Sequence, residues 1–280
     1  KVNLYLEITA RRENGYHELA SLFVPLTAPA DTLSVTPTPD AGALAIRCPE
    51  HPGLEGESNI VHKAWERFAR ATGHRPGLDV RLKKAIPMGA GLGGGSSDAA
   101  AMLRYLNRTA GARALQPDGL AALAASLGAD VPFFLLGRPA WAEGIGEELT
   151  PVEHGLAGLT LLVACPDVHV DTAWAYAEWD RLTERLGRRP APFLTWRPAA
   201  TKSAVPLSPP VLHNDFERVV FGAHPALRRL KETLLMAGAC AAVMSGSGAS
   251  ILGLFRSVER AGRAQQRLMD GGIPAYVQGL

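Results

Sequence analysis

Alternating and helical spacing of apolar residues along the chain predicts an α+β fold. The first half mixes alternating segments, which are typical of half-buried strands, with a few segments that repeat at helical spacing. The second half approximates the order β-α-β-β-α-β of a ferredoxin-like unit with an inserted excursion. A chain of 280 residues with 47% hydrophobic composition can bury a sizeable core. Its length suits two domains or one large one.

The elements of the first half follow from apolar spacing and from the positions of glycine and proline. We predict strands over residues 2–6 and 78–82, and helices over residues 58–72, 97–106 and 117–127. One face of the first helix carries Ile60, Ala64, Trp65 and Phe68. Glycine readily takes the conformation that follows a helix, so Gly73 and Gly128 are expected to end two of these helices.

The second half has four predicted strands, three predicted helices and one long loop. The strands cover residues 159–164, 240–244, 250–255 and 275–277, and the helices cover residues 172–186, 225–237 and 257–269. Between the first two of these helices, the Pro-rich residues 188–210 are expected to form a long surface loop.

The segment P-M-G-A-G-L-G-G-G-S-S-D-A-A, residues 87–100, carries most of the functional information. Five glycines within seven residues lead directly into an alanine-rich helical pattern. Glycine lets the backbone approach an anion closely, and the amides and positive dipole end of the following helix stabilise the anion's charge. A flexible linker is the alternative. The flanking strand, and a helix that Ser97 or Asp98 is placed to cap, favour a phosphate loop.

Two common nucleotide loops are excluded by residues that this segment lacks. A Walker A loop requires Lys and then Ser or Thr after its last glycine, whereas S-S-D follows here. Three of the glycines satisfy the dinucleotide spacing G-x-G-x-x-G, but that site needs an acidic residue about 20 positions later. Residues 99–117 contain no carboxylate. A third kind of nucleotide loop remains.

Charge and cysteine content exclude several classes of partner. A net charge of +2 without a long basic run gives no electrostatic basis for binding nucleic acid or an anionic membrane. The three cysteines are widely spaced and form no C-x-x-C, so neither a disulfide framework nor a zinc site is indicated. No apolar run reaches membrane-spanning length and no signal segment is visible. These features point to a reducing cytosol.

Asp130 is the first candidate for chemistry outside the glycine loop. It follows a predicted helix end and precedes Val131, which we expect to be extended because Pro132 comes next. A carboxylate among Val131, Phe133 and Phe134 is costly unless a cation pairs with it. A turn aspartate explains the pattern equally well, but a phosphate loop without an assigned base favours the catalytic interpretation.

Two segments near the start of the chain supply a cation and a pair of rings. Lys1 in K-V-N-L lies on a predicted strand and is able to pair with Asp130, which would keep that carboxylate ionised and orient an accepting hydroxyl. Tyr16 and His17 follow Gly15, and an aromatic ring beside an imidazole suits a nucleobase. An exposed lysine and an ordinary turn are the alternatives.

Two more glycine-containing segments are candidates for binding an anion or a metal. Residues 245–248 form a predicted turn between strands, whose exposed amides suit a phosphate and which lacks the G-x-S-x-G spacing of a hydrolase. A plain hairpin loop is the alternative. Residues 143–149 predict a turn, with magnesium binding by one of its glutamates as a second interpretation.

Seven motifs follow one another along nearly the whole chain: K-V-N-L, G-Y-H-E, P-M-G-A-G-L-G-G-G-S-S-D-A-A, G-A-D-V-P-F-F, G-I-G-E-E-L, H-N-D-F-E and M-S-G-S-G-A-S. Their order resembles that of the small-molecule kinases named for galactose, homoserine, mevalonate and phosphomevalonate (GHMP). G-Y-H together with G-A-D-V-P-F-F resembles those members that transfer the γ-phosphoryl group of ATP to the 2-hydroxyl of a cytidyl-linked methylerythritol, in non-mevalonate isoprenoid synthesis. The resemblance implies an ATP-binding domain like ribosomal protein S5 domain 2, residues 1–152, and a ferredoxin-like C-terminal domain, residues 153–280.

The resemblance also implies roles for individual residues. Asp130 would be the catalytic base and Lys1 its partner. Binding of ATP is expected at Pro87, Met88, Gly89, Ala90, Gly91, Leu92, Gly93, Gly94, Gly95, Ser96, Ser97 and Asn59. Binding of the acceptor substrate is expected at Asn3, Tyr16, His17, Thr172, Tyr176, Gly246, Ser247 and Gly248. His17 would read the cytosine edge, while Tyr16 and Tyr176 would stack on the ring.

The implied cofactors are ATP and Mg²⁺, with Ser96 or Ser97 as a candidate magnesium ligand. The implied partner is a small molecule in the bacterial cytosol, with no nucleic acid and no membrane. Another GHMP kinase, acting on mevalonate-pathway intermediates or homoserine, is the first rival, and binding of a cytidine nucleotide discriminates it. A non-catalytic sensor on the same fold need not keep Lys1, Asp130 and the intact loop. A dinucleotide oxidoreductase would bind NAD(H).

Overall fold

The computed structural model describes residues 1–153, 155–187 and 212–280. The Pro-rich segment that we predict as a surface loop, residues 188–210, lies outside the described residues. The chain forms two units, each assembled from separate stretches of sequence. The first unit consists of Lys1–Ala28, Pro87–Leu92 and Arg138–Leu280, and the second of Pro29–Ile86 and Gly93–Gly137. The boundary between residues 152 and 153 divides the chain by sequence rather than by contact, and it stays a prediction.

The described residues form twelve strands and eight α-helices, numbered here in chain order. The strands are β1 (Val2–Arg11), β2 (His17–Val24), β3 (Thr32–Thr38), β4 (Leu44–Arg47), β5 (Gly77–Lys83), β6 (Ala140–Glu143), β7 (Glu148–Pro151), β8 (Thr160–Ala164), β9 (His213–Asn214), β10 (Ala241–Met244), β11 (Ile251–Phe255) and β12 (Ala275–Gly279). The helices are α1 (Ile60–Thr72), α2 (Gly94–Thr109), α3 (Pro117–Leu127), α4 (Val131–Leu136), α5 (Thr172–Leu186), α6 (Glu217–Ala223), α7 (Pro225–Met236) and α8 (Val258–Asp270).

The ferredoxin-like arrangement predicted for the second half is confirmed within the first unit. Strands β8, β10, β11 and β12 and helices α5, α7 and α8 lie where the spacing predicts them. The strands pair in the order β10-β11-β8-β12, with every neighbouring pair antiparallel. Strand β8 is buried along its whole length, and the core beside it contains Trp179, Phe216 and Phe255.

A second sheet of the first unit has the strand order β7-β6-β2-β1-β9. Strand β1 lies between β2, which is antiparallel to it, and β9, which is parallel to it. Strand β2 buries most of its residues, and β1 itself is buried from Val2 to Leu6. Asn3 on β1 and Lys1 just before it are buried, and β2 begins at His17.

The motif H-N-D-F-E joins β1 to the turn between β10 and β11. Asn214 Nδ2 donates hydrogen bonds to the carbonyl oxygens of Met244 and Gly246, both at 2.7 Å. Asp215 Oδ2 accepts a hydrogen bond from the amide of Ile8 on β1 at 2.9 Å. The side chains of Asn214 and Asp215 are both buried. Buried polar groups with partners of this kind define one arrangement of the surrounding backbone.

The second unit packs helices on a small sheet with the order β3-β5-β4. Helix α1 buries Ala64, Trp65 and Phe68, as its periodicity predicts, and ends at Gly73 in the left-handed conformation. The hydrophobic core of the second unit also includes the buried face of α2. The prediction that Gly128 ends α3 is confirmed as well.

Helix α4 corrects one sequence prediction. We expect Val131 to be extended because a proline follows it, but Val131 is the first residue of α4 and Pro132 the second. Proline fits the first turn of a helix, where its missing N–H has no intrahelical partner to lose. Asp130 is therefore the N-cap residue of α4 and lies in the turn that follows α3.

The start of α2 corrects another prediction. The helix begins at Gly94, three residues earlier than expected, and its N-cap residue is Gly93, which makes no side-chain cap. Ser97 and Asp98 both lie inside the helix, so neither caps it. Ser97 Oγ donates a hydrogen bond to the carbonyl oxygen of Gly94 at 2.7 Å, within the first turn.

Asp98 belongs to a buried ionic cluster below the first turns of α2. The ammonium group of Lys84 contacts Asp98 Oδ2 at 2.8 Å and also contacts Asp31 Oδ2. Asp31 Oδ1 accepts hydrogen bonds from the amides of Ala85 and Ile86. Burial raises the pKa of Asp98 to about 6, against the opposing effect of Lys84, and the negative charge of Asp31 adds to the rise. Two carboxylates here share one ammonium group.

We expect Asp98 to make the stability of the protein depend on pH. An acid whose pKa is higher in the folded chain binds its proton more tightly there. Its contribution to stability is therefore full below pH 4 and lost as the pH rises through about 6. The unfolding free energy of Asp98→Asn minus that of the wild type should therefore rise by up to ~3 kcal/mol from pH 4 to pH 7. Urea unfolding at both pH values measures this change, and a constant difference would contradict it.

Candidate active site

The first part of the glycine loop packs against the M-S-G-S-G-A-S turn within the first unit. Gly89 and Gly91 have φ values of +72° and +73°, as expected for a loop that glycine makes possible. A Cβ atom on Gly91 would lie 2.7 Å from the carbonyl oxygens of Ser245 and Gly248. The amide of Ser250 also donates to the carbonyl oxygen of Ala90 at 3.3 Å. The structure thus brings together two glycine-rich segments that are far apart in the sequence.

The turn itself is more closed than its sequence predicts. The amide of Ser245 donates to the carbonyl oxygen of Ser250, and the amide of Gly248 donates to the carbonyl oxygen of Ser245. The expectation of exposed amides is therefore wrong for Ser245 and Gly248. Ser247 is half-buried, and its hydroxyl lies 2.8 Å from that of Thr172. Thr172 thus contacts the turn through Ser247, while Gly246 and Gly248 are buried in it.

Lys1 and Asn3 are buried beside this turn. Lys1 Nζ donates to Asn3 Oδ1 at 2.9 Å and lies 4.2 Å from the centre of the Phe23 ring. Asn3 Nδ2 donates to Ser21 Oγ, and the Asn3 amide donates to Ser245 Oγ. The alternative of an exposed lysine is therefore wrong. Burial and the hydrogen bond to Asn3 restrict the position of the Lys1 ammonium group.

In the second unit, Asp130 lies beside the start of α2. Gly93 has φ +74°, and a Cβ atom there would lie 3.4 Å from Asp130 Oδ2 and 3.0 Å from the Phe134 ring. The first amides of α2, beginning with Gly94, have no side-chain cap from the N-cap residue. Such amides attract an anion, and the helix dipole adds to this attraction. A half-buried carboxylate and a helix start that is suited to an anion are thus neighbours.

Asn59 has a structural role at the start of α1, which begins at Ile60 rather than at residue 58 as predicted. It is the N-cap residue of α1, where its Oδ1 accepts from the amide of Val61 at 2.8 Å. Its Nδ2 donates to the carbonyl oxygen of Leu54 at 2.6 Å. Both ends of the side chain have protein partners, and contact with the nucleotide stays a prediction.

The predicted base-reading residues are brought together only in part. The rings of His17 and Tyr176 stack, with centroids 4.5 Å apart and an angle of 18° between their planes. Tyr176 also makes an edge contact with Phe216. Tyr16 is 59% exposed, so it projects from the surface. His17 Nε2 lies 2.8 Å from Asp180 Oδ1, a partner that the sequence analysis did not identify.

The turn predicted within residues 143–149 is confirmed at residues 144–147. It connects β6 to β7, and Glu147 Oε2 accepts a hydrogen bond from the amide of Ile145 at 2.7 Å. Across the described ranges, no group of three or more His, Cys, Asp or Glu side chains is arranged to hold a metal ion. Magnesium binding by a glutamate of this turn has no support from its geometry.

Comparison with known proteins agrees with this geometry. Family models described as "GHMP kinases N terminal domain" and "GHMP kinases C terminal" match residues 59–138 and 196–272. The 4-diphosphocytidyl-2-C-methyl-D-erythritol kinase of Solidesulfovibrio magneticus is 50% identical over all of this chain and 94% of its own length. The chain belongs to the 4-diphosphocytidyl-2-C-methyl-D-erythritol kinase family. The enzyme of that name from Symbiobacterium thermophilum is 42% identical over 99% of this chain and 96% of its own.

Solved structures extend the comparison to the fold. A crystal structure of 4-(cytidine 5'-diphospho)-2C-methyl-D-erythritol kinase has a TM-score of 0.77 and 34% identity, and the match covers 99% of this chain and 95% of the other. Homoserine kinase from Cytophaga hutchinsonii, at 18% identity, has a TM-score of 0.62 over 93% of this chain and 87% of the other, and it shares the fold.

Membership of this family confirms the predicted resemblance and the two-domain α+β GHMP kinase fold. The chain is a kinase that acts on a small molecule, and ATP is the phosphoryl donor of GHMP kinases. No helix in the described part of the chain is long and apolar enough to cross a membrane. Sequence reasoning recognised H-N-D-F-E as a motif but assigned no role to Asn214, which binds the turn beside Lys1 and Asn3.

Alanine substitutions at Gly93 and Gly95 should show whether each glycine is needed for the backbone conformation or for the approach of a phosphate. Gly93→Ala forces a side chain into a left-handed conformation against Phe134 and Asp130, so we expect a loss of about 1–2 kcal/mol in unfolding free energy and much weaker ATP binding. Gly95→Ala lies in the first turn of α2 with only an ordinary contact to Ile60 and should not destabilise the protein.

Urea unfolding and calorimetric titration with ATP measure the two effects. A folded Gly93→Ala protein with unchanged affinity for ATP would show that this glycine is not needed at the phosphate site. Loss of ATP binding by a fully stable Gly95→Ala protein would show instead that a phosphate approaches the backbone at that position.

Proposed function

We propose that this protein transfers the γ-phosphoryl group of ATP to the 2-hydroxyl of 4-diphosphocytidyl-2-C-methyl-D-erythritol. The observation that carries the proposal is the position of the Asp130 carboxylate beside the uncapped start of α2. A helix start of this kind binds phosphate, and a carboxylate next to it is placed to accept a proton from an attacking hydroxyl. The names of the close relatives supply the acceptor.

The proposed reaction is a direct displacement at phosphorus. The 2-hydroxyl oxygen forms a bond to the γ-phosphorus, and the bond from that phosphorus to the oxygen bridging it to the β-phosphorus breaks, which releases ADP. The hydroxyl proton passes to the carboxylate of Asp130. Lys1 is proposed as the second group that acts on the hydroxyl, since it occupies the lysine of the family motif. Catalysis of this kind consists mainly of positioning and charge stabilisation.

The residues at the start of α2 fit a nucleotide triphosphate with magnesium. Gly93, Gly94 and Gly95 carry no side chains at the start of α2, and the first amides of the helix are aligned with its dipole. Mg²⁺ prefers oxygen ligands and retains several waters, so one or two protein oxygens suffice beside those of the phosphates. The hydroxyl of Ser96 or of Ser97 is the proposed ligand. Bound there, the ion would neutralise phosphate charge.

The stacked pair of His17 and Tyr176 supports a cytidyl site in the first unit. An imidazole selects one base edge by hydrogen bonding, and aromatic rings bind the flat face of a base. Tyr16, Asn3, Thr172, Gly246, Ser247 and Gly248 complete the proposed acceptor surface. The proposed location is the bacterial cytosol, which suits the free thiols of the three cysteines.

An assay with several alcohols tests the proposed function. The protein would be incubated with ATP, Mg²⁺ and, separately, 4-diphosphocytidyl-2-C-methyl-D-erythritol, mevalonate and homoserine, and ADP release would be followed. We expect ADP only with the cytidyl compound. Activity with mevalonate or homoserine alone would overturn the acceptor. Binding of the cytidyl compound without ADP release would indicate a sensor.

Substitution of the proposed base should reduce turnover and not binding. Asp130→Asn keeps the shape of the side chain but removes the proton acceptor, so we expect kcat to fall by about 10²–10⁴ while KM changes much less. Asp118→Asn, an exposed position at the start of α3, is the matched control and should keep wild-type turnover. Near-normal kcat in the Asp130 variant would remove this residue from the mechanism.

A further inference from the structure

His17 is held on two sides by residues of one helix. Tyr176 and Asp180 are four positions apart on α5, so they lie on the same face of that helix. The Tyr176 ring stacks on the imidazole, and Asp180 Oδ1 lies 2.8 Å from Nε2. The second carboxylate oxygen of Asp180 contacts Arg11 at 3.3 Å. His17 is buried and Asp180 is mostly buried, so solvent does not readily replace this contact.

The contact decides which imidazole nitrogen carries the proton. An ionised carboxylate only accepts hydrogen bonds, so the hydrogen must lie on Nε2. In a neutral imidazole the other nitrogen then has no hydrogen and is an acceptor. Without the carboxylate, the ring would be able to exchange its hydrogen between the two nitrogens and present a donor instead.

We propose that Asp180 is a positioning residue that fixes His17 with Nδ1 as an acceptor and so selects a base with an amino donor over one with a carbonyl. The inference rests on the proposed cytidyl site. Cytosine has an exocyclic amino group, which donates a hydrogen bond to Nδ1. Uracil has a carbonyl at the same position, which sets one acceptor against another. An unmatched pair of this kind in a buried site produces large discrimination.

Asp180 itself need not touch the substrate. Its effect passes through His17, and its loss is expected to change the choice of base rather than the chemistry at phosphorus. Arg11 and Asp180 are the charged side chains that the structure places at this point, and the Tyr176 ring restricts rotation of the imidazole from one face. Discrimination between bases, rather than overall rate, is therefore the informative quantity.

Kinetics with paired substrates test the proposal. We would compare kcat/KM for the cytidyl substrate and its uridine analogue in the wild type, in Asp180→Ala and in Glu178→Ala. Glu178 is a carboxylate on the same helix that pairs with Arg181 and serves as the matched control. We expect Asp180→Ala to lower the cytidine-to-uridine ratio by about 10-fold or more, with KM for ATP unchanged. Glu178→Ala should keep the wild-type ratio.

Nuclear magnetic resonance of the imidazole nitrogens provides a readout that a merely structural role would not move. In ¹⁵N-labelled wild-type protein, with the His17 signals assigned from a His17→Gln variant, we expect hydrogen on Nε2 only. In Asp180→Ala we expect the hydrogen to be shared between both nitrogens. A wild-type ring with hydrogen on Nδ1, or an unchanged base ratio in a folded Asp180→Ala protein, would overturn the proposal.

The two measurements also separate this inference from the proposed function. If the wild type does not phosphorylate the cytidyl compound at all, the proposed function fails, and the role of Asp180 in base choice fails with it. If the wild type is active and discriminates but Asp180→Ala discriminates equally, only the present inference fails. If Asp180→Ala does not fold, the wild-type nitrogen signals still decide the tautomer.

Discussion

The candidate site depends on backbone that has no room for side chains. At Gly91 a Cβ atom would come within 2.7 Å of two carbonyl oxygens, which cannot retreat as a flexible side chain can. At Gly93 it would press on Phe134 and approach the Asp130 carboxylate. Both residues also have positive φ, a backbone conformation that costs residues with a Cβ atom about 1–2 kcal/mol. The same absence of side chains leaves the first amides of α2 accessible to a phosphate.

Buried polar side chains hold the segments around this backbone in place. Asn214 binds two carbonyl oxygens of the turn that packs on Gly91, and Asn3 connects Lys1 to Ser245 of the same turn. A buried amide or ammonium group without its partners would cost more than an ordinary hydrogen bond contributes. These side chains therefore specify one arrangement of the turn, and they place the Lys1 ammonium group within it.

The glycine loop and the proposed base-reading residues have different roles. The first concerns phosphoryl transfer, and the second concerns the choice of acceptor. Homoserine kinase and mevalonate kinase share the fold at low identity, so the fold does not determine the acceptor. The proposed choice of base arises at the pair of His17 and Tyr176, with Asp180 behind the imidazole. Phosphoryl transfer needs positioned charge, whereas acceptor choice needs a fixed pattern of donors and acceptors.

Sequence predicted the features that local chemistry determines. Helices α1, α3 and α5 follow from apolar spacing and terminal glycines, and the ferredoxin-like order follows from the succession of strands and helices, because these depend on neighbouring residues. Local rules were insufficient at α4, where Pro132 fits a first helical turn as well as an extended segment.

Sequence patterns alone identified the family, and they named the glycine loop, Lys1 and Asp130 as candidate site residues. They did not identify the packing of Gly91 on Ser245, the shared ammonium group of Lys84 or the contact of Asp180 with His17. Each of these joins residues that are distant in sequence, and local patterns do not show which distant residues meet. Only the folded chain, through burial and the need to pair every buried polar group, decides which of them meet.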